Sequence, residues 1–254
     1  MKSARLVGAA VVVAVFAGSV GVASAAAKVP KQRGPISGRM RTAAGAVTSS
    51  NWSGYAAYGA TFSDVSGSWQ QPRADCTSVP KNAVALSAFW VGLDGYFSNT
   101  VEQTGTEADC VGTSARYYAW YEFYPHRLFV LSQTRYPVSP TDTLSATVSQ
   151  ANGSVTVTLE DHNRSHPWSF TTTAPARHLA FSSAEWIAEG PSHELTNFGD
   201  VEFGGASAST DGVAQPINAF SNDAITMETS SGIVRAKPSP PPVTRAFSIA
   251  WRHS

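Results

Sequence analysis

The stretch LSATVSQANGSVTVTLED, residues 144–161, leaves a chain few ways to fold. Leu144, Ala146 and Val148 alternate with polar residues. Asn152-Gly153 follows, and then Val155, Val157 and Leu159 alternate again. A period of two is a strand period, and Asn-Gly between two such runs is the signature of a two-residue hairpin turn. That turn sets Val148 opposite Val157 and Ala146 opposite Leu159, so one face of the hairpin is apolar throughout.

Other segments carry the same signal. AVALSAFWVGL, residues 83–93, is nearly all apolar and reads as a central strand buried on both faces. ARYYAWYEFYP, residues 115–125, puts Tyr118, Trp120, Glu122 and Tyr124 on one face and Tyr117, Ala119, Tyr121 and Phe123 on the other. KPSPPPVTRAFSIAW has a proline-rich bend, and a last strand with Val243, Phe247, Ile249 and Trp251 on one face. No long amphipathic helix and no internal repeat is present. Seven Trp, eight Tyr and twelve Phe fit strands, and 43% hydrophobic residues suffice for a sizeable core. Many short strands between turn signals predict an all-β fold, a two-sheet antiparallel β-sandwich.

The chain of 254 residues divides into three parts. Residues 1–25 read as a signal peptide: Lys2 and Arg5, an apolar run from Leu6 to Val22, then the cleavage site Ala23-Ser24-Ala25. The protein is therefore expected to be secreted and free of the membrane once the signal is removed. Residues 26–50 carry Lys28, Lys31, Arg33, Arg39 and Arg41 and no acid. Two readings stand for this segment, a loose basic tail or a propeptide that covers an acidic cleft. Residues 51–254 form a single domain. All 18 acids lie after Ser50, against 11 Lys and Arg, which gives that domain a net charge of −7. A basic face for nucleic acid is missing.

Cys76 and Cys110 are the only cysteines. In an exported chain an isolated pair is most simply a disulfide. No Cys-x-x-Cys occurs, and the one close histidine pair, His162 and His166, brackets a turn, so no metal or other cofactor is expected. The nucleophile motifs are absent or weak. There is no G-x-S-x-G elbow and no pair of Asp-Thr/Ser-Gly motifs, and His193 sits in a loop. Carboxylates beside aromatics remain. In SSAEWIAEGP, Glu185, Ile187 and Glu189 share one strand face. Glu185 and Glu189 lie ~13 Å apart along the strand, too far for a glycosidase dyad by themselves.

Four segments in order, NWSG at Asn51, FWVGLDG followed by VEQTG, YAWYEFYP, and AEWIAE, together resemble the glutamic peptidases, the eqolisins. The resemblance runs from Asn51 to Glu189 and more weakly to the end. It implies a concanavalin A-like sandwich, a cleft on a concave sheet face, and a secreted endopeptidase acting in acid on proteins or peptides without a cofactor. It places the catalytic pair on Gln103 and Glu189. Glu189 would act as general base and then acid. Gln103 would stabilise the oxyanion with its N–H and help hold the water with its C=O, staying neutral at every pH. Trp90, Asp94, Trp120, Glu122 and Tyr124 would line or support the cleft. Two departures are visible: Glu107 stands where fungal members carry an Asp after Gln-Thr-Gly, and Ser192 stands where they carry a further acid. A monomer is expected. The aromatic faces also suit a glycoside hydrolase using Glu122 and Glu189, or a sugar-binding module; neither gives Gln103 a set role.

Overall fold

The computed structural model describes residues 33–42, 46–163, 165–190, 194–240 and 245–254. The signal-peptide reading, His193, Ser192 and Val243 lie outside the described residues.

The strands form two layers. The front sheet runs β6 (Ser114–Tyr124), β5 (Val101–Val111), β4 (Ala88–Leu93), β10 (Ser183–Glu189), β2 (Trp52–Tyr58) and β12 (Ser221–Glu228), all antiparallel. The back sheet runs β9 (Trp168–Pro175), β8 (Ser154–Asp161), β7 (Thr143–Ala151), β3 (Asp64–Gln70), β11 (Asp200–Thr210) and β14 (Phe247–Trp251). β13 (Val234–Pro238) pairs with both β12 and β14 and joins the two layers at one edge. β1 (Val47–Ser49) lies parallel to β12, so the sheet begins ahead of Asn51. The helical structure among the described residues is a single 3-10 turn, Ile217–Ala219, and no helix there is long and apolar enough to cross a membrane.

The predicted hairpin forms in the expected register, Val148 facing Val157 and Ala146 facing Leu159. Asn152 and Gly153 both take positive φ, 51° and 72°, which a two-residue turn of this hand requires. The apolar run at residues 83–93 differs from expectation: it breaks at Ser87 into Val84–Leu86 and β4. The Ser87 hydroxyl donates to the Ala108 carbonyl and its N–H to Asp109, so the chain spends its polar groups on β5 at that point.

Alternation then sorts the front sheet. Phe89, Val91, Ala108, Ala119 and Trp186 point inward and meet Trp69, Val148, Val157 and Phe203 of the back sheet in the main core. Trp52, Trp90, Tyr118, Trp120 and Ile187 point the other way and form a second apolar cluster on the outer face. Such a cluster is ordinarily exposed on a sandwich, yet each of these side chains is buried. Part of the cover comes from residues 33–42, of which Ile36 packs against the cluster. A disulfide joins Cys76, in the loop before Val84, to Cys110 near the end of β5. It anchors the strand that carries Gln103.

Candidate active site

Three rows cross the outer face of the front sheet. Glu122, Gln103, Gly92 and Glu185 stand in register; so do Trp120, Gly105, Trp90 and Ile187; and so do Tyr118, Glu107, Ala88 and Glu189. The middle row holds two tryptophans with a glycine between. A Cβ on Gly105 would lie 2.1 Å from the Phe89 carbonyl oxygen and 2.6 Å from the Trp90 Cβ. Only glycine lets the two strands close here, and the polar rows on either side are set by that contact.

Residues 33–37 run over these rows. The Gln103 Nε2 donates to the Arg33 carbonyl oxygen at 2.5 Å and to Glu122 Oε2 at 3.1 Å. Two acceptors for one nitrogen fix which way the amide faces. The Gln103 Oε1 is then buried with no hydrogen-bond partner among the described residues. Glu122 Oε2 also accepts the Arg33 backbone N–H at 2.7 Å. One turn of backbone is thus gripped at its N–H and its C=O by two neighbouring side chains.

Glu189 is held at the far end of the same strip. Its Oε2 accepts the Trp90 indole N–H at 3.0 Å, and its Oε1 lies 3.4 Å from the Asn51 Nδ2. The same Asn51 nitrogen lies 3.4 Å from the Pro35 carbonyl oxygen, and the Asn51 Oδ1 accepts the Ser37 N–H at 2.8 Å. Gln103 touches Arg33 and the Asn51–Glu189 pair touches Pro35, so Gly34 passes between the amide and the carboxyl. Tyr124 packs on this residue, with its ring 3.4 Å from the place of a Gly34 Cβ. Trp52 meets Trp90 edge to face, ring centroids 5.0 Å apart, and walls the Glu189 end.

The Arg33 side chain enters the third row. Its Nε donates to Glu107 Oε1 at 3.2 Å and its Nη2 to Glu107 Oε2, and the ion pair is fully buried. The forked guanidinium matches the carboxylate in two parallel bonds, which is the strong form of such a pair. Asp109 stands behind, its Oδ2 accepting the Tyr118 hydroxyl at 2.9 Å and its Oδ1 the Ser87 N–H at 3.1 Å.

Burial sets the acidities. It pushes Glu189 up to about 7, against the opposing pull of Arg33 and of the Trp90 donor. It pushes Glu122 up to about 8 and Asp109 up to about 6. Glu107 is raised well above the ordinary carboxylate range by burial, with Arg33 working the other way. Arg33 itself is held more firmly cationic by Glu107, Glu189 and Asp109.

A family model, Peptidase A4 family, matches residues 50–239. The chain belongs to this family of glutamic peptidases. Aspergillopepsin-2 from Aspergillus niger is 28% identical over 188 residues, covering 65% of this chain and 66% of the relative, so the chain spans just under two thirds of that protein's length. Among solved structures, scytalido-glutamic peptidase with a peptide-based transition state analog superposes with a TM-score of 0.66 at 23% identity, over 80% of this chain and 98% of that one. The aspergilloglutamic peptidase of Aspergillus niger superposes with a TM-score of 0.58 at 25% identity, over 66% and 99%. These likenesses carry the concanavalin A-like sandwich for a Peptidase A4 member.

Of the residues singled out in the sequence, Gln103, Glu189, Trp90, Glu122 and Tyr124 come together along residues 33–37. Trp120 fills the middle row; its side chain supports the floor. Asp94 is elsewhere. It takes φ 69°, its Oδ2 accepts the Ala180 and Phe181 N–H groups, and its Oδ1 accepts the N–H and hydroxyl of Ser182. Both oxygens are consumed in tying the loop before β10. It positions the strand that ends in Glu189, and does not meet the residues 33–37. Sequence reasoning gave no role to Asp109 or Tyr118. The alternation of VEQTGTEAD does put Gln103, Glu107 and Asp109 on one face, and that signal was sufficient to find them.

Proposed function

We propose that this chain is a secreted, acid-acting endopeptidase that hydrolyses peptide bonds with Glu189 and Gln103. The observation that carries the reading is a peptide carbonyl, that of Arg33, seated on the Gln103 amide N–H while the next residue passes toward Glu189. Water adds to a carbonyl carbon so held. Glu189 accepts the water's proton, and Gln103 donates to the oxygen as it becomes negative. Glu189 then returns the proton to the leaving nitrogen, and the C–N bond breaks. A neutral donor aimed at the developing oxyanion contributes ~3–4 kcal/mol to the transition state. The buried, unpartnered Gln103 Oε1 supports its second task, accepting from the water.

Residues 26–50 then act as a propeptide. Besides Arg33, Arg41 pairs with Asp223 and Arg39 stacks over the Tyr96 and Phe97 rings, 4.6 and 4.7 Å from their centroids. Under this cover Glu189 stays protonated below about 7. While the segment lies along the cleft no other peptide reaches Glu189 and Gln103, and its removal opens the site.

The test is clearing of casein at acid pH by the purified secreted protein in the presence of pepstatin, set beside a polysaccharide panel. Clearing by the parent and none by Gln103→Ala supports the dyad. Sugar release without proteolysis turns the assignment to the glycosidase reading.

A further inference from the structure

The pocket that takes the Arg33 side chain has no part in the hydrolytic step, yet it is the most completely built feature of the outer face. Its base is Glu107, with Asp109 behind it and Tyr118 at one side, all buried. The Glu107 backbone is pinned by the Gln71 amide, whose Nε2 donates to the Glu107 carbonyl at 3.1 Å. The Gln71 Oε1 accepts the Thr106 hydroxyl at 2.6 Å, and that hydroxyl accepts the Trp69 indole N–H at 3.0 Å. The carboxylates are thus placed by a chain of buried side chains reaching into the main core. A pair of acids kept dry in this manner is costly without a cation to face.

We infer that the Glu107–Asp109 pocket is the specificity site of this peptidase, which cleaves after arginine. This rests on the dyad reading above, because the carbonyl on Gln103 marks the bond to be cut. Arg33 owns that carbonyl, so Arg33 stands before the scissile bond and Gly34 after it. The side chain of the residue before the bond therefore enters Glu107's pocket. Attack of water on the Arg33 carbonyl carbon gives a free arginine carboxyl and a Gly34 amine, with Glu189 carrying the proton between them. The Arg33–Gly34 bond is the chain's own model of a good substrate. Leucine or phenylalanine in this place leaves Glu107 buried without a partner. A pocket built for a polar partner discriminates strongly against a side chain that lacks it. Lysine offers a point charge in place of a fork and binds Glu107 through one bond.

The test uses the processed, secreted enzyme at the pH of its highest activity. The substrates are four quenched fluorogenic peptides differing only before the scissile glycine: arginine, lysine, leucine, and citrulline, the neutral isostere of arginine. We expect kcat/KM for arginine to exceed that for citrulline by at least ~10², with lysine between them. In Glu107→Gln the arginine-to-citrulline ratio falls to within about tenfold of unity, and Glu107→Asp restores part of it. The comparison among peptides on the unaltered enzyme decides the matter even where a variant fails to fold. Equal cleavage of the arginine and citrulline peptides, or faster cleavage of leucine than of arginine, overturns the pocket assignment and leaves the dyad standing. No cleavage of any of the four, with casein also untouched, sinks the dyad and this inference with it.

Discussion

The front sheet buries two groups of acids, and they are treated very differently. Glu107, Glu122 and Glu189 each receive a designed donor: a guanidinium, an amide, an indole. Glu102 and Glu185 receive almost nothing. The Glu102 Oε2 and both oxygens of Glu185 are buried without a hydrogen-bond partner among the described residues. Burial pushes Glu102 up to about 9, with the Asp94 charge adding to it, and raises Glu185 well above its ordinary range, with Asp94 and Glu102 adding to it. Burial thus favours the neutral form of both acids in the second group. Glu189 sits at the edge of ionisation and the donors around it are aimed. Glu185 is only four residues away on the same strand face, equally buried and without such donors among the described residues. On the dyad reading proposed above, fixed donors and not burial alone separate Glu189 from Glu185.

The largest test of this contrast exchanges the two glutamates. Glu189→Gln keeps shape and removes the base, so hydrolysis of casein should drop to background. Glu185→Gln should keep most of it. Equal loss in both variants would erase the distinction between the two groups. The next effect belongs to the amide. Gln103→Ala should lower kcat ~10²–10³-fold with a much smaller change in KM. Gln103→Glu is nearly isosteric, and its residual rate should survive only at a pH low enough to protonate the new acid, which a rate-against-pH profile will read.

Stability gives two smaller effects. Cys76→Ser opens a loop with a sequence separation of 34, and chemical denaturation should show a loss of about 3–4 kcal/mol. The tether holds the end of β5, so this variant should also lose more activity than its stability predicts. The smallest effect is in the pH dependence. A carboxyl whose pKa is higher folded than unfolded favours the fold fully below its unfolded value, near 4.5, and that contribution is lost as pH rises through the folded value. Glu102, Glu122, Glu185 and Glu189 all have this sign. The melting temperature should therefore fall between about pH 4.5 and pH 9. Glu185→Gln should melt above the parent at the alkaline end and match it at the acid end. A melting temperature that rises toward alkaline pH would contradict the raised carboxyls.

Much of this was legible in the residues because strands write their faces with a period of two. The Asn152-Gly153 turn fixed one register, and alternation assigned Tyr118, Trp120 and Glu122 to one side of β6. Two features were not legible. Asp94 sits in a motif beside cleft residues, but its positive φ turns its carboxylate onto residues 180–182, and no periodicity encodes that turn. Arg33 is one of five similar cations in a segment without a pattern of its own. What distinguishes it is the spacing of Gln103, Glu107 and Glu122 on strands far away in sequence, a relation between registers that a single segment does not contain. The Ser87 break has the same origin, in polar partners on β5.

Arg33 and its pocket belong to one molecule, and this changes the kind of competition a substrate faces. A segment tethered beside its own site has an effective concentration on the order of millimolar, independent of how dilute the protein is. Dilution of the protein therefore does not empty the site. A free peptide with the same arginine must approach roughly millimolar levels to displace a segment tethered in this way, and cutting the tether would remove that competition. On the propeptide reading proposed above, one covalent cut converts the enzyme from insensitive to its surroundings to responsive to them.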